Sequence, residues 1–387
     1  MNTACSGIET PCFIVDAEYL RRNLEVLRRV SDESGGRVLL AQKAFALYRL
    51  YPLIAEYLDG ATSSGLFEAR LAFDEMRAEG GRRLYRHIFA PAYQEGQIDE
   101  ILTITDHIVF NSAEQFKKYK DKAAAAGVSR GIRVNPEFST QDKARAIYDP
   151  CAPGSRLGVK ARELADMDFD GVEGLHFHTM CEQGFDDLAA TFDAVERKFG
   201  GFLKKIKWLN MGGGQHITAD GYDVDGLIRL IKRIISSYGV EVYIEPGEAV
   251  ALNAGFLAAS VLDIVEGSGS ALPSAIIDAS AACHMPDVIE APYRPHIISG
   301  GAVGQKKYAY RIGGNTCLAG DIVGDYSFDA PLEVGSKLIF TDMAHYSMVK
   351  TNMFNGINLP SIYLRGSDGR LELIKKFGYG DYKSRLC

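Results

Sequence analysis

Residues 38–78 read VLLAQKAFALYRLYPLIAEYLDGATSSGLFEARLAFDEMRA. Two short runs, Val38–Ala41 and Gly60–Ser63, have strand length, and Leu66–Ala78 carries its apolar residues at helical spacing. The alternation continues along the chain. Further strands are expected at His87–Ala90, His107–Phe110, Gly131–Asn135, Val172–His178, Trp208–Met211 and Glu241–Glu245, with amphipathic stretches such as Ala113–Ala125, Asp187–Phe199 and Val224–Ser237 between them. Ahead of the first strand, Leu20, Leu24 and Leu27 keep helical spacing behind Asp16, a residue suited to capping a helix N-terminus. Eight β-α alternations over about 230 residues predict a (β/α)8 barrel, with a doubly wound open sheet as the alternative.

The pattern changes near residue 250. Strand-length runs follow one another at Ala258–Val265, Ala275–Asp278, His296–Ile298, Tyr308–Ile312, Lys337–Thr341, Ser361–Leu364 and Glu372–Phe377, joined by Gly-, Pro-, Asn- and Asp-rich connections. The expected division is a barrel over 17–250 and a separate, mainly β domain from 1–16 and 251–387. The run Cys12–Val15 could join that β domain or start the barrel.

Composition narrows the function classes. The 387 residues are 47% hydrophobic and 24% charged, as in a folded globular protein, and not a disordered chain. A formal net charge of −7 offers no basic footprint for nucleic acid or an anionic membrane. No apolar run reaches the ~18 residues of a membrane span. Residues 1–10 show neither a basic start nor an apolar stretch, so no secretion signal is expected. The seven cysteines (Cys5, Cys12, Cys151, Cys181, Cys283, Cys317, Cys387) are odd in number, irregularly spaced and without a CxxC pair. Reduced thiols in a cytoplasmic setting fit better than a disulfide framework or a zinc site.

In a barrel of this kind, the C-terminal strand ends carry the chemistry. Lys43 directly follows the first strand among Ala41, Ala44 and Phe45. It reads as a surface lysine or as a desolvated amine able to form a Schiff base. His176 and His178 share a face at the sixth strand end. They read as an HxH metal pair, as a ring stacked on a planar cofactor with its support, or as hydrogen-bonded core histidines. No further convincing metal ligands stand at the other strand ends, so no metal is expected. Gly212-Gly213-Gly214 follows the seventh strand, either as a tight turn or as a loop whose N–H groups approach a phosphate. Glu245, in Glu245-Pro246-Gly247-Glu248, ends the eighth, as a capping acid or as a partner for a protonated ring nitrogen. Lysine, histidine, glycine loop and acid together match what pyridoxal 5′-phosphate requires.

These residues resemble the fold-type III pyridoxal-phosphate decarboxylases, the alanine racemase-like group, from about Thr10 to Tyr382. The signatures are Ala41-Gln42-Lys43-Ala44-Phe45-Ala46, His178-Thr179-Met180-Cys181-Glu182, Gly212-Gly213-Gly214-Gln215-His216, Glu245-Pro246-Gly247-Glu248, Gly314-Asn315-Thr316-Cys317-Leu318-Ala319-Gly320-Asp321, and Tyr346 with Phe354-Asn355-Gly356. The resemblance implies that Lys43 is the Schiff-base lysine, His178 the ring-stacking histidine and Glu245 the pyridinium partner. Gly212, Gly213 and Gly214 become the phosphate loop, with Cys181 on the phosphate side. Arg133 supports the ring, Tyr346 lies near the phosphate, and Cys317 is the catalytic cysteine given by the neighbouring subunit of a homodimer.

Four departures point away from ornithine decarboxylase. Phe45 stands where relatives carry Asn, Glu248 where they carry Arg, and Leu318 where an acid follows the cysteine. The Asp that ornithine decarboxylase carries in its second-strand loop is not obvious near Ala61-Thr62-Ser63-Ser64. Within the group the chain resembles the branch that decarboxylates carboxynorspermidine and carboxyspermidine. A carboxylated triamine needs carboxylates along its path. Glu182, Asp287, Glu248, Glu290 and Asp321 are candidates, with Glu290, Asp321 and Glu248 favoured. The competing expectations are decarboxylation of another basic amino acid such as diaminopimelate or ornithine, a cofactor carrier without decarboxylase activity, and a metal-dependent barrel hydrolase built on His176 and His178.

Overall fold

In a computed structural model of the chain, residues 7–142 and 148–387 are described. They form two compact units, one within Arg22–Val250 and one from the described part of Met1–Arg21 with Ala251–Cys387. Cys5 lies outside the described residues.

The first unit is the closed barrel. Its eight parallel strands are β2 (Arg37–Ala41), β3 (Gly60–Ser63), β4 (Tyr85–Phe89), β5 (His107–Phe110), β6 (Ser129–Asn135), β8 (Gly174–His176), β9 (Trp208–Asn210) and β10 (Glu241–Ile244). The ring closes where β10 pairs β2 and β5 pairs β6. A two-residue strand, β7 (Val159–Lys160), adds to β6. Two of the helices between strands start at a side-chain cap. Ser112 Oγ accepts from the Gln115 amide at 3.2 Å to open Ala113–Ala125, and Asp223 accepts from the Gly226 amide at 2.7 Å to open Val224–Tyr238.

Side chains fill the barrel. Leu39, Val109, Trp208 and Tyr243 cluster there, with Tyr85 and Phe89 packed against them. The indole fits because two neighbouring strands carry glycine: a Cβ at Gly131 or Gly174 would lie 2.2 or 2.0 Å from Trp208 ring atoms. His87 and His107 complete this layer, their rings 4.1 Å apart.

The second unit is a sheet in the order β14-β13-β12-β11-β1-β16-β17, with β15 also on β11. Its strands are β1 (Cys12–Asp16), β11 (Gly255–Val265), β12 (Ser274–Ile277), β13 (Tyr308–Gly313), β14 (Ile322–Phe328), β15 (Lys337–Thr341), β16 (Ser361–Arg365) and β17 (Leu371–Lys375). The Cys12 run therefore joins this sheet, antiparallel to β11 and parallel to β16. Asp16 caps as expected, accepting from the Glu18 and Tyr19 amides at 3.0 and 3.3 Å, while Arg365 holds its other oxygen at 2.7 Å.

Two sequence expectations need correction here. His296–Ile298 is no strand and makes only an isolated bridge between Ile297 and Phe340. Ile322–Phe328 is a strand, hidden in the sequence by Gly324 and Asp325. Its ladder with β13 supports it, including the Arg311–Asp325 pair at 2.8 Å.

Candidate active site

Lys43 follows β2 by two residues, and its Nζ lies 3.2 Å from His178 Nε2. The Gly213 amide donates to His178 Nδ1 at 3.0 Å. A neutral imidazole that accepts at Nδ1 carries its proton on Nε2, so it faces Lys43 as a donor. An ammonium could not accept that proton, whereas a neutral amine can. Lys43 is exposed at the barrel mouth, yet desolvation by the protein around it, then the Arg133 charge, push its pKa below the usual lysine value, in agreement with that geometry. Burial, with Lys43 and Arg133 adding to it, holds His178 neutral as well.

Glu245 directly follows β10. Asn210 Nδ2 donates to its Oε1 at 2.7 Å, and His176 Nε2 lies 3.3 Å from its Oε2. Burial alone would raise the carboxyl pKa. The donors of His176, Asn210 and Thr62 outweigh it and hold the carboxyl pKa below the ordinary glutamate value, so the group stays ionised. His176 is buried and kept neutral by that burial, so the pair is an imidazole N–H donating to a carboxylate.

Arg133, on β6, donates to the His178 carbonyl at 2.8 Å and lies over the Phe89 ring at 4.5 Å. Phe89 in turn stacks on His176, with ring centroids 5.5 Å apart. Burial lowers the Arg133 pKa to about 10.

The glycine loop admits no side chains. A Cβ at Gly212 would meet the Phe177 carbonyl oxygen at 2.4 Å, at Gly213 the Glu245 oxygen at 2.1 Å, and at Gly214 the Met180 oxygen at 2.0 Å. Gly212 and Gly214 also take left-handed backbone at φ 64° and 90°. Cys181 adjoins this loop, its amide nitrogen 3.1 Å from the Cβ position of Gly214. Glu248, first residue of the Glu248–Ala251 helix, lies 3.3 Å from His216 Nε2.

The barrel thus brings together Lys43, His178, Arg133, Glu245, Cys181 and the three glycines. A neutral-leaning amine, an ionised buried carboxylate, a neutral ring and a side-chain-free loop fit pyridoxal 5′-phosphate: nucleophile for its aldehyde, partner for its ring nitrogen, face for its ring and N–H groups for its phosphate. Sequence reasoning passed over Asn210, Thr62 and Phe89. Asn210 carried a legible signal, a polar residue in an apolar strand two positions before the glycines.

The other expected site residues stand on the sheet unit. Cys317 is exposed, and its amide donates to Asn355 Oδ1 at 2.8 Å. Asp321 is 2% exposed. Its carboxylate accepts from Ser280 Oγ at 2.8 Å, Thr316 Oγ1 at 2.6 Å, the Ala282 amide at 3.2 Å and the Thr316 amide at 3.3 Å. These four donors engage it in holding the turn before Cys317, a different use from the substrate contact expected of it. Glu290 pairs with Lys350 at 3.0 Å, beside Asp287 on the same ammonium. Tyr346 sits in left-handed backbone at φ 50°.

A family model described as pyridoxal-dependent decarboxylase, C-terminal sheet domain, matches residues 12–344. The chain is 42% identical to a carboxynorspermidine/carboxyspermidine decarboxylase of Campylobacter jejuni, with 98% of each chain covered. It is 40% identical to a carboxyaminopropylagmatine decarboxylase of Synechocystis, covering 100% of this chain and 97% of the relative. Among solved structures, the C. jejuni carboxynorspermidine decarboxylase complexed with norspermidine superposes with a TM-score of 0.88 at 41% identity, over 98% of this chain and 100% of that one. A diaminopimelate decarboxylase shares the fold at 19% identity, with a TM-score of 0.81.

Proposed function

The chain belongs to the pyridoxal-dependent decarboxylases, and from that premise we propose that it releases CO2 from carboxynorspermidine or carboxyspermidine to form norspermidine or spermidine. One observation carries the reading. Lys43 Nζ meets a neutral His178 ring in a barrel that also holds Glu245 ionised, in a chain 42% identical over nearly its whole length to an enzyme named for those substrates.

Pyridoxal 5′-phosphate would be held by Lys43 at its aldehyde, Glu245 at its ring nitrogen, His178 at its ring face, and Gly212–Gly214 with Cys181 at its phosphate. The chemistry supplied by the bound group is an electron sink for the pair left at the substrate α-carbon when the carboxylate departs. The residues of the chain prepare that step. Glu245, ionised and bonded by His176 and Asn210, favours a proton on the nitrogen it faces. Arg133 fixes the His178 carbonyl, and the Gly213 amide, donating to Nδ1, orients the ring of that histidine. Lys43 stays available as a nucleophile because desolvation by the surrounding protein and the Arg133 charge disfavour its own charge. Cys317 Sγ is assigned as the acid that returns a proton to the α-carbon, and Tyr346 keeps the phosphate-side role that the resemblance implies. Glu248 and Glu290 are assigned to the distal ammonium groups. A cytoplasmic homodimer sharing its active sites is the assembly consistent with this reading, and sedimentation of the purified chain tests it.

The deciding experiment incubates purified protein with carboxynorspermidine, carboxyspermidine, carboxyaminopropylagmatine, diaminopimelate and ornithine, scoring CO2 and amine product. Highest kcat/KM on the first two is expected. Highest kcat/KM on diaminopimelate or ornithine would establish the alternative, and on carboxyaminopropylagmatine a guanidino-ended substrate.

A further inference from the structure

Asn210 lies fully buried at the end of β9 and makes three bonds at once. Its Nδ2 donates to Glu245 Oε1 at 2.7 Å and faces His87 Nδ1 at 3.2 Å, while its Oδ1 accepts the Gly212 amide at 2.9 Å. The amide orientation is dictated by these partners. Turned over, its NH2 group would oppose the Gly212 N–H, and its oxygen would oppose a carboxylate. His87 then accepts at Nδ1 and carries its proton on Nε2. Its ring is locked in the barrel layer, 4.5 Å from Tyr243 and 5.9 Å from Trp208.

We propose that Asn210 is a positioning residue, oriented by His87, that couples the carboxylate meeting the cofactor ring to the first glycine of the phosphate loop. The Glu245 amide also donates to the Gly212 carbonyl at 2.8 Å, but no other described side chain bonds both the Glu245 carboxylate and Gly212. The coupling matters because the two ends of a rigid cofactor must be met together. A carboxylate displaced at one end then costs registration at the other. A charge-assisted bond to a buried carboxylate is among the stronger ones a side chain makes, and its loss leaves the acceptor under-satisfied. The inference rests on the cofactor placement proposed above for its consequence in turnover, but not for the coupling itself.

Two arms test it. In cofactor-free protein, hydrogen exchange is followed at the Gly212 amide. Asn210→Ala should speed that exchange at least tenfold. Glu245→Gln, which touches no Gly212 side-chain partner except through Asn210, should speed it at least threefold. Unchanged exchange in Glu245→Gln would overturn the coupling. In the holoenzyme, Asn210→Asp keeps the shape but sets a second carboxyl against Glu245. Its kcat should fall tenfold or more, with substrate KM within threefold, and its cofactor dissociation constant should rise tenfold or more. The double variant Asn210→Ala/Glu245→Gln should lose no more cofactor affinity than the weaker single variant. Additive losses, or Asn210→Asp within threefold of the parent on both kcat and cofactor affinity, would overturn it. If the Asn210 variants do not fold, His87→Phe carries the test, since it keeps the ring in its layer and removes the acceptor. It should raise the cofactor dissociation constant at least threefold, and an unchanged constant would count against the proposal. A parent chain that takes up no cofactor refutes the placement above and leaves the exchange arm to decide the coupling.

Discussion

Gly213→Ala is the perturbation that the structure prices most directly. The added Cβ would sit 2.1 Å from the Glu245 carbonyl oxygen and 3.0 Å from its carbon. An ordinary contact needs about 3.4 Å, so loop and strand end must part by roughly 1.3 Å. Neither side is a flexible side chain. The oxygen belongs to the backbone just past β10, and the Glu245 amide donates to the Gly212 carbonyl at 2.8 Å. Forcing that separation costs about 1–3 kcal/mol of stability, as overpacking does, or about 1–4 °C in melting temperature for a chain of this size. The functional cost is larger. The Gly213 amide that donates to His178 Nδ1 at 3.0 Å moves with the loop. A 1 Å misplacement in an active site is worth on the order of 100-fold in rate. The assay pairs CO2 release with thermal melting and cofactor dissociation. Gly201→Ala serves as control, since it sits in the Phe185–Leu203 helix with nothing within 4 Å of the new Cβ, and its melting should hold or rise slightly. Gly213→Ala with melting, cofactor affinity and turnover all within threefold or 2 °C of the parent would refute the claim that close backbone approach fixes this loop.

Borohydride reduction followed by peptide mapping should place a pyridoxyl group on the Lys43 peptide, and Lys43→Ala should carry none. An unmodified parent peptide would remove Lys43 as the anchor. Cys317→Ala should lower kcat by about 100-fold or more while retaining cofactor, as expected when a positioned acid is lost; near-normal turnover would take the thiol out of the reaction. Asp321→Ala removes a buried acceptor from the donors of Ser280, Ala282 and Thr316, at about 2–4 kcal/mol, and its melting temperature should drop accordingly. His107 is held at a pKa of about 4 by burial, against an ordinary value of 6.5. The unfolded chain therefore binds more protons in that window, and stability should fall as pH drops from about 6.5 to about 4, by a few kcal/mol in all. His107→Phe should flatten that slope in melting curves, and an unchanged slope would show that other groups set it.

The barrel was legible because most of its strands are short, largely apolar runs bounded by polar or glycine residues, and helices such as Ala113–Ala125 and Val224–Tyr238 carry their own cap. Lys43, Gly212 to Gly214 and Glu245 were legible because each directly follows such a strand. What escaped the sequence depends on contacts between strands. Asn210 looks like one polar residue in Trp208–Met211 until Glu245, Gly212 and His87 arrive around it from three other places in the chain. Asp321 looks like a free acid at substrate distance from Cys317, yet Ser280 and Ala282, some 40 positions earlier, claim its oxygens. Strand β14 was hidden for a related reason: Gly324 and Asp325 read as turn residues, and only pairing with Tyr308–Gly313 makes them strand. In each case the deciding partner is remote in sequence, and local periodicity carries no record of it.

The charges of the barrel site also bear on why this arrangement suits a polycation. A carboxylated triamine brings two or more ammonium groups toward a mouth that holds Lys43, His178, His176 and Arg133. Were all four charged, the approach would be repulsive at short range, where little solvent screens it. Burial keeps both histidines neutral and disfavours the lysine charge, which leaves Arg133 as the persistent cation. Arg133 is in turn held against the His178 carbonyl at 2.8 Å and over the face of Phe89, both electron-rich surfaces that absorb part of its field. Glu245 remains ionised, and Glu248 follows it by three positions. The same desolvation that readies Lys43 as a nucleophile therefore removes a positive charge from the path of the substrate. A substitution that restored it, such as Glu248→Arg, should raise KM for triamine substrates far more than it lowers kcat; equal effects on both would place Glu248 with the reacting centre instead of the approach.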